Sequence, residues 1–223
     1  MKKILIYVGA HCGNSLSNYI SEYEQIFAFE ANPKFCQILK QKFATNQNVT
    51  IINAAICEKH NTFITFNISK NDGDSSSILT PNVNNELFSY IQTSEQLTVP
   101  TINLFNFFQE NNIQKIDTYI SDLQGCDLMV LKTLESYINN GLIDELQCEV
   151  GKDNKPPIYN NEIVENENKE SNFDKILGEK YFKSAKGWGN LTDGIFKDVP
   201  EEWCEQDIKW TLKNKLNYCQ EKY

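Results

Sequence analysis

The chain has 223 residues, 40% of them hydrophobic and 12% aromatic. That suffices for one ordinary domain burying roughly 70% of the surface its unfolded chain exposes, and is too apolar for a disordered chain. The formal net charge of -9 sets up a field that repels nucleic-acid backbones and anionic membrane surfaces, so neither is an expected partner. All 21 positive side chains are lysines, which excludes a substrate gripped by a bidentate guanidinium, although an AT-rich coding bias accounts for the same absence.

Taken in chain order, residues 3 to 8 read as a continuous apolar run of strand length. The loop Gly9-Ala10-His11-Cys12-Gly13 follows, and Leu16, Tyr19, Ile20 and Tyr23 then share one face of an expected helix. Ile26 to Phe29 is a second strand. Asn32-Pro33 supplies an N-cap and a first-turn proline for a helix with Phe35, Ile38, Leu39 and Phe43 on its apolar face. Val49 to Ile56 and Thr62 to Ile68 read as further strands, and Ser69 to Asn85, rich in Ser, Asn, Asp and Gly, as a mobile loop. Leu97 to Pro100 is extended, Leu104, Phe107 and Phe108 mark a short helix, and Ile116 to Ser121 is a strand ending at Asp122-Leu123-Gln124-Gly125. Leu128, Leu131, Leu134 and Ile138 define one amphipathic helix, and Leu142 to Val150 another strand. Residues 151–172, with Pro156-Pro157, form a polar excursion. Ile176, Leu177, Tyr181 and Phe182, then Gly194-Ile195-Phe196, suggest a helix and a terminal β-pair. Strands alternating with helices imply an α/β fold with a mainly parallel sheet covered on both faces, within a single domain spanning 1–223: a ligand-binding core at 3–150 and sheet completion at 151–223.

Seven scattered cysteines, an odd number without a Cys-x-x-Cys pair, suit reduced thiols in a cytoplasm rather than a disulfide framework or a structural zinc. Polar His11 to Ser15 cut the opening apolar run too early for a signal peptide, and no run is long enough to cross a bilayer. The Asn-x-Ser/Thr triplets at 48, 67 and 190 are expected by chance in so Asn-rich a chain.

Ligands of open α/β sheets bind beyond the carboxyl ends of the strands, and four strand ends here carry unusual residues. Gly9 to Gly13 lets the backbone approach a ligand and presents a helix N-terminus to an anion, although a glycine turn alone is equally a plain turn. Glu30 can accept hydrogen bonds from the vicinal hydroxyls of a ribose, or stand as a solvated acid at a helix entry. Asn53-Ala54-Ala55 can frame a flat base, or simply pack. Asp122, before Gln124-Gly125, can face a reacting centre, or cap a helix.

Taken as a set, Val8-Gly9-Ala10-His11-Cys12-Gly13, Phe27-Ala28-Phe29-Glu30-Ala31-Asn32-Pro33, Asn53-Ala54-Ala55-Ile56, the Ser75-Ser76-Ser77 loop and Asp122 to Lys132 resemble the FkbM-type methyltransferases in family order. The resemblance implies a class I methyltransferase fold: a three-layer sandwich with a mainly parallel sheet and an antiparallel C-terminal strand. It also implies S-adenosylmethionine as cofactor, bound by Gly9, Gly13 and Glu30, with Asp122 close to the transferred methyl. The expected cofactor shell is Tyr7, Gly9, Ala10, His11, Gly13, Asn14, Glu30, Ala31, Asn53, Ala54, Ala55 and Asp122. The chain departs from the family pattern at Tyr7, His11 and Asp127, where Asp, Asn and Glu are usual.

For catalysis, Asp122 is expected as base or orienter of an acceptor hydroxyl, Gln124 as its positioning partner and the 69–85 loop as a lid, with His11 the alternative base. No metal is expected, although Asp122, Asp127 and Glu149 would supply ligands if they converged, and Asp72-Gly73-Asp74 lacks the rest of a calcium loop. The acceptor is expected to be a small neutral hydroxylated molecule, a sugar or glycan. Two rival readings remain. One is a degenerate methyltransferase-fold binding module. The other is an NAD-dependent oxidoreductase, disfavoured because Gly9-x-x-x-Gly13 lacks the Gly-x-Gly-x-x-Gly spacing.

Overall fold

A computed structural model describes residues 2–83, 86–88, 90–160, 168–187 and 198–214. The expected strand at Gly194-Ile195-Phe196 and the triplet at Asn190 lie outside them. The chain opens with β1 (Ile4–Val8), a 3-10 turn (Ser15–Tyr19), β2 (Gln25–Glu30), α1 (Pro33–Lys42), β3 (Val49–Asn53), β4 (Ala55–Ile56) and β5 (Phe63–Ser69). It continues through β6 (Thr80–Pro81), a 3-10 turn (Glu86–Phe88), β7 (Thr93–Ile102), α2 (Leu104–Glu110) and β8 (Ile116–Ser121). The remainder is α3 (Asp127–Thr133), α4 (Glu135–Asn139), β9 (Ile143–Gly151), β10 (Tyr159–Asn160), α5 (Glu170–Leu177), β11 (Tyr181–Gly187) and β12 (Glu205–Leu212).

Seven strands form one sheet in the order β11-β12-β9-β8-β1-β2-β3. All run the same way except β12, which is antiparallel to both its neighbours. This is the expected class I methyltransferase arrangement. The order reverses at the β1–β8 boundary, where an open parallel sheet leaves a crevice at its carboxyl edge. Alternation along the strands assigns the faces. Ile6, Val8, Phe27 and Phe29 join Leu104, Phe108, Leu128, Leu131, Phe173 and Leu177 on the side covered by α2 to α5. Leu5, Ile26 and Ala28 meet Leu16, Tyr19, Leu39 and Phe43 on the side covered by α1 and the first 3-10 turn.

Local chemistry explains where the elements begin and end. Asn32 caps α1 by accepting from Lys34 N at 3.0 Å, with Pro33 in the first turn and Lys40 and Lys42 in the last; loss of such a cap costs about 1 kcal/mol. The helix expected over Leu16 to Tyr23 is only a 3-10 turn, in which Ser17 Oγ competes for a backbone group by donating to Gly13 O at 3.0 Å. The single helix expected through Leu128 to Ile138 breaks at Leu134 into α3 and α4. Thr133 Oγ1 there bonds back to Val130 O at 2.7 Å, a contact that bends helices.

Two expected strands leave the main sheet. The Val49 to Ile56 run splits at Ala54, and β4 joins β7 and β5 in a separate three-stranded sheet. The stretch expected to be a mobile loop is cross-tied over residues 69–79. Asn71 Nδ2 donates to Ser75 Oγ at 2.9 Å, Ser76 Oγ to Gly73 O at 2.8 Å and Asn67 Nδ2 to Leu79 O at 2.9 Å. Its far side is pinned by the β6–β10 pair, which registers Pro81 with Tyr159.

Candidate functional site

Two cavities open at the carboxyl edge of the sheet and share one side chain, Asp122. The smaller, of about 80 Å³, is walled by Gly9, His11, Glu30, Ala31, Ala54, Ala55, Ile56, Asp122 and Gln124 and roofed by Gly73, Asp74 and Ser76 of the serine-rich turn. Gly9, with φ +79°, is required here, since a Cβ would fall 2.0 Å from Asp122 O across the β1–β8 boundary. Glu30, at the end of β2, accepts from His11 N through Oε2 and from Asn32 N through Oε1, both at 2.7 Å. Burial raises its pKa from the ordinary 4.5 to about 7, against the opposing effect of those two N–H groups. Each oxygen retains a lone pair for a ligand hydroxyl. The His11 ring packs on Phe35 with centroids 3.9 Å apart, its Nε2 3.3 Å from Asp74 Oδ1, within ion-pair range but off line for a hydrogen bond.

Asp122 is open to the cleft on one side and crowded by protein on the others, and this loss of water raises its carboxyl pKa. Gln124 bridges it to Glu149: Nε2 donates to Asp122 Oδ1 at 2.7 Å and to Glu149 Oε2 at 2.9 Å, while Tyr159 OH donates to Gln124 Oε1 at 2.5 Å. The carboxamide is thus held in one orientation. Gln124 and Gly125 both have positive φ, and a Cβ on Gly125 would press on the Tyr159 ring at 2.8 Å. Burial, then the charges of Asp122 and Glu205, push Glu149 well above the carboxylate range.

The larger cavity measures about 580 Å³ and is lined by Tyr7, Tyr19, Phe88, Tyr90, Asp122, Gln147, Glu149, Trp203, Glu205 and Asp207, among others. Its floor is the second face of β9 and β12. Leu146, Cys148 and Val150 of β9 and Ile208 and Trp210 of β12 point into the core, so Gln147, Glu149 and Asp207 point into the cavity.

The expected cofactor shell divides. Gly9, His11, Glu30, Ala31, Ala54, Ala55 and Asp122 meet around the small pocket, joined by Gln124, which was expected as a catalytic partner. Tyr7 instead lines the large cavity, its ring edge-on to Tyr19 at 6.0 Å. Ala10 is buried in the core and Gly13 packs against Leu39 and Phe43. Asn14 accepts from Lys42 Nζ at 3.2 Å, and Asn53 donates to Glu30 O and Ala31 O at 2.8 and 3.0 Å, supporting the pocket from outside it. Four of the loop's amides are paired: Gly9 N and Ala10 N with Phe29 O, His11 N with Glu30 Oε2, and Gly13 N with Ala10 O. Gly13 and Asn14, at the start of the expected helix, do not line the small pocket. Asp127 turns away from Asp122 and Glu149. It accepts from Ser121 Oγ at 2.5 Å and Leu123 N at 3.1 Å, and burial raises its pKa to about 8. Among the described residues no group of three or more His, Cys, Asp or Glu is placed to hold a metal, and no helix is long and apolar enough to cross a membrane. The sequence reading missed Tyr159, Glu205 and Asp207, although the alternation of Asp207, Ile208, Lys209 and Trp210 is a strand signal.

The family model for the methyltransferase FkbM domain matches residues 8–179. The chain belongs to the FkbM methyltransferase-domain family. It is thereby an S-adenosylmethionine-dependent methyltransferase, and the family match covers every wall of the small pocket. No curated protein matches the sequence. Among solved structures, this FkbM-domain chain is similar to a S-adenosylmethionine-dependent methyltransferase from Clostridium acetobutylicum, with 10% identity over 94% of this chain and 84% of the other and a TM-score of 0.45. It is also similar to magnesium protoporphyrin IX methyltransferase from Synechocystis, solved with bound S-adenosylmethionine, with 10% identity over 95% and 70% and a TM-score of 0.46. TrmK from M. capricolum, solved with S-adenosylhomocysteine, gives 10% identity over 95% and 62% and a TM-score of 0.46.

Proposed function

We propose that this protein methylates a hydroxyl of a small acceptor, most simply a sugar, with the cofactor in the 80 Å³ pocket and the acceptor in the 580 Å³ cavity. The observation that carries this reading is Asp122, whose side chain belongs to both cavities at the point where strand order reverses. The pocket's donor set fits the cofactor: a carboxylate at Glu30 for the ribose, the small walls Ala54 and Ala55 beside a flat base, and a glycine at the closest backbone approach. S-adenosylmethionine supplies a methyl group already activated by its sulfonium.

What remains for the chain is to align the acceptor and receive a proton. Asp122 accepts the proton of the attacking hydroxyl. Its raised pKa brings it toward the operating pH, where a general base works best. Gln124 holds the carboxylate in place, and Tyr159 holds Gln124. Glu149, tied to Asp122 through Gln124 Nε2, has its carboxyl pKa raised by burial and by the charge of Asp122. His11, with its ring on Phe35 and its Nε2 toward Asp74, belongs to the cofactor side.

The test is to incubate the full chain with methyl-labelled S-adenosylmethionine and a panel of neutral mono- and disaccharides. Products that gain label and the mass of one methylene, with the new carbon resonating as an O-methyl ether, support the reading. Label found on nitrogen or sulfur, or on no sugar, contradicts it.

A further inference from the structure

The serine-rich turn that roofs the small pocket is tied to Gln124 at main chain and side chain alike. Ser77 Oγ donates to Gln124 O at 2.8 Å and accepts from Leu79 N at 3.0 Å. Tyr159 OH lies 2.5 Å from Gln124 Oε1 and 3.2 Å from Ser75 O. A phenol has one proton to give, so these two acceptors compete for it, and here the nearer one, Gln124, takes it. Burial, then the charges of Glu205, Glu149 and Asp122, hold the Tyr159 phenol well above its ordinary range, so it remains a donor.

The Tyr159 ring has little freedom to follow the turn. It is 5% exposed, its backbone pairs with Pro81 of β6, and it packs on Gly125, where a Cβ would come within 2.8 Å. Ser75 is placed differently, between Asp74 and Ser76, which both line the pocket. Asp74, its side chain 68% exposed, meets His11 at 3.3 Å, a contact of the kind that contributes little in water. The pocket beneath measures about 80 Å³, whereas small-molecule sites measure about 300–1,000 Å³. Seating a cofactor therefore lifts the roof and Ser75 with it.

We infer that Tyr159 is a positioning residue that relays cofactor seating to the acceptor side of the cleft, by way of Gln124. As the roof lifts, Ser75 O withdraws and the Tyr159 proton is committed to Gln124 Oε1. The carboxamide then keeps both its N–H groups on carboxyls, one on Asp122 Oδ1 at 2.7 Å and one on Glu149 Oε2 at 2.9 Å. With the hydroxyl turned to Ser75 O instead, the amide oxygen loses its donor and the carboxamide is free to turn over. Gln124 also holds a left-handed φ of +50°, which residues other than glycine seldom adopt and which folds retain at working sites. The inference rests on the reading of Asp122 as the base that this amide orients, and it makes a seated cofactor the condition for an ordered base.

The experiment is NMR of the full chain, isotope-labelled at its glutamine side-chain amides, free and saturated with S-adenosylhomocysteine. The signal lost in Gln124→Glu identifies the Gln124 amide. The inference expects its protons to exchange with water roughly tenfold or more slowly once S-adenosylhomocysteine is bound. Tyr159→Phe should abolish that response while calorimetric affinity for S-adenosylhomocysteine, the check on folding, stays within about threefold. Ser77→Ala loosens the same turn but leaves the hydroxyl, and should keep most of the response. Unchanged or faster exchange in the parent chain overturns the inference, whether or not the Tyr159 variant folds, and so does a response that survives Tyr159→Phe or is lost equally in Ser77→Ala. The base reading is decided separately, by turnover of Asp122→Asn, and failure of the parent chain to bind S-adenosylhomocysteine overturns both.

Discussion

The 80 Å³ pocket draws its walls from residues 8 to 126, whereas the 580 Å³ cavity depends on β9, β12 and residues 202–207 for its floor and rim. The first is built from backbone approach and small side chains: Gly9 against Asp122 O, Ala54 and Ala55, and a carboxylate holding two amides. The second is built from large rings and a crowd of acids, two of them opposed across a strand pair. A pocket of the first kind accepts one ligand shape and tolerates little change. One of the second kind is respecified by changing side chains on a sheet that stays put.

Substitution at the shared wall separates the two halves most sharply. Asp122→Asn should lower turnover by about 100-fold or more, the usual contribution of a general base. Affinity for S-adenosylhomocysteine should stay within about threefold, because Glu30 and the glycine loop are untouched. Stopped-flow single turnovers and calorimetry on the same preparation check both halves of this expectation. Unchanged turnover would remove Asp122 from the mechanism.

The next effect is on the cofactor half alone. Gly9→Ala puts a Cβ 2.0 Å from Asp122 O at φ +79°, and urea unfolding should show a loss of about 2–4 kcal/mol. A shift below 0.5 kcal/mol would mean that the β1–β8 boundary is less rigid than described.

Much of the cofactor half was legible in the sequence, because strand ends with Gly, Glu and Asp are local signals. Gly9 and Glu30 each follow directly on an apolar run of strand length, and Asp122 follows the β-prone stretch Ile116 to Ser121. The acceptor half was not. Glu149 and Asp207 become neighbours only through the antiparallel register of β12 on β9, a pairing across more than fifty residues that no local pattern encodes. Tyr159 reaches Gln124 because β10 pairs with β6, and both strands are two residues long, too short for a periodic signal. The serine-rich turn misled for the opposite reason: its composition is that of a loose loop, but its hydroxyls and amides satisfy one another and Ser77 Oγ donates to Gln124 O at 2.8 Å.

A smaller effect joins the two halves through pH. Glu30 and Asp127 have folded pKa values of about 7 and about 8, above their ordinary 4.5 and 3.8, in both cases chiefly through burial. A raised carboxyl pKa means that the folded state binds more protons than the unfolded chain across this window. Stability should therefore fall as pH rises from about 4 to about 8 and level off above it. Thermal unfolding from pH 5 to 8.5 should show a declining midpoint, with a shallower decline in Asp127→Asn. A midpoint that rises over this interval would contradict the assignment.

The smallest expected change is at the roof of the pocket. Asp74→Ala removes an exposed ion-pair partner of His11, and should alter stability by less than about 1 kcal/mol. A larger loss in thermal unfolding would show that the serine-rich turn depends on this contact more than on its own hydrogen bonds.

The central claim, that the pocket between Gly9 and Glu30 takes S-adenosylmethionine, is tested most directly by calorimetric titration with S-adenosylhomocysteine and, separately, with NAD, in the parent chain and in Glu30→Ala. Saturable heat with S-adenosylhomocysteine, weakened by about 100-fold in the variant, and none with NAD is the predicted result, since the charged hydrogen-bond acceptor lost is worth about 1.5–3 kcal/mol or more. Heat with NAD alone, or S-adenosylhomocysteine binding indifferent to Glu30→Ala, would contradict it.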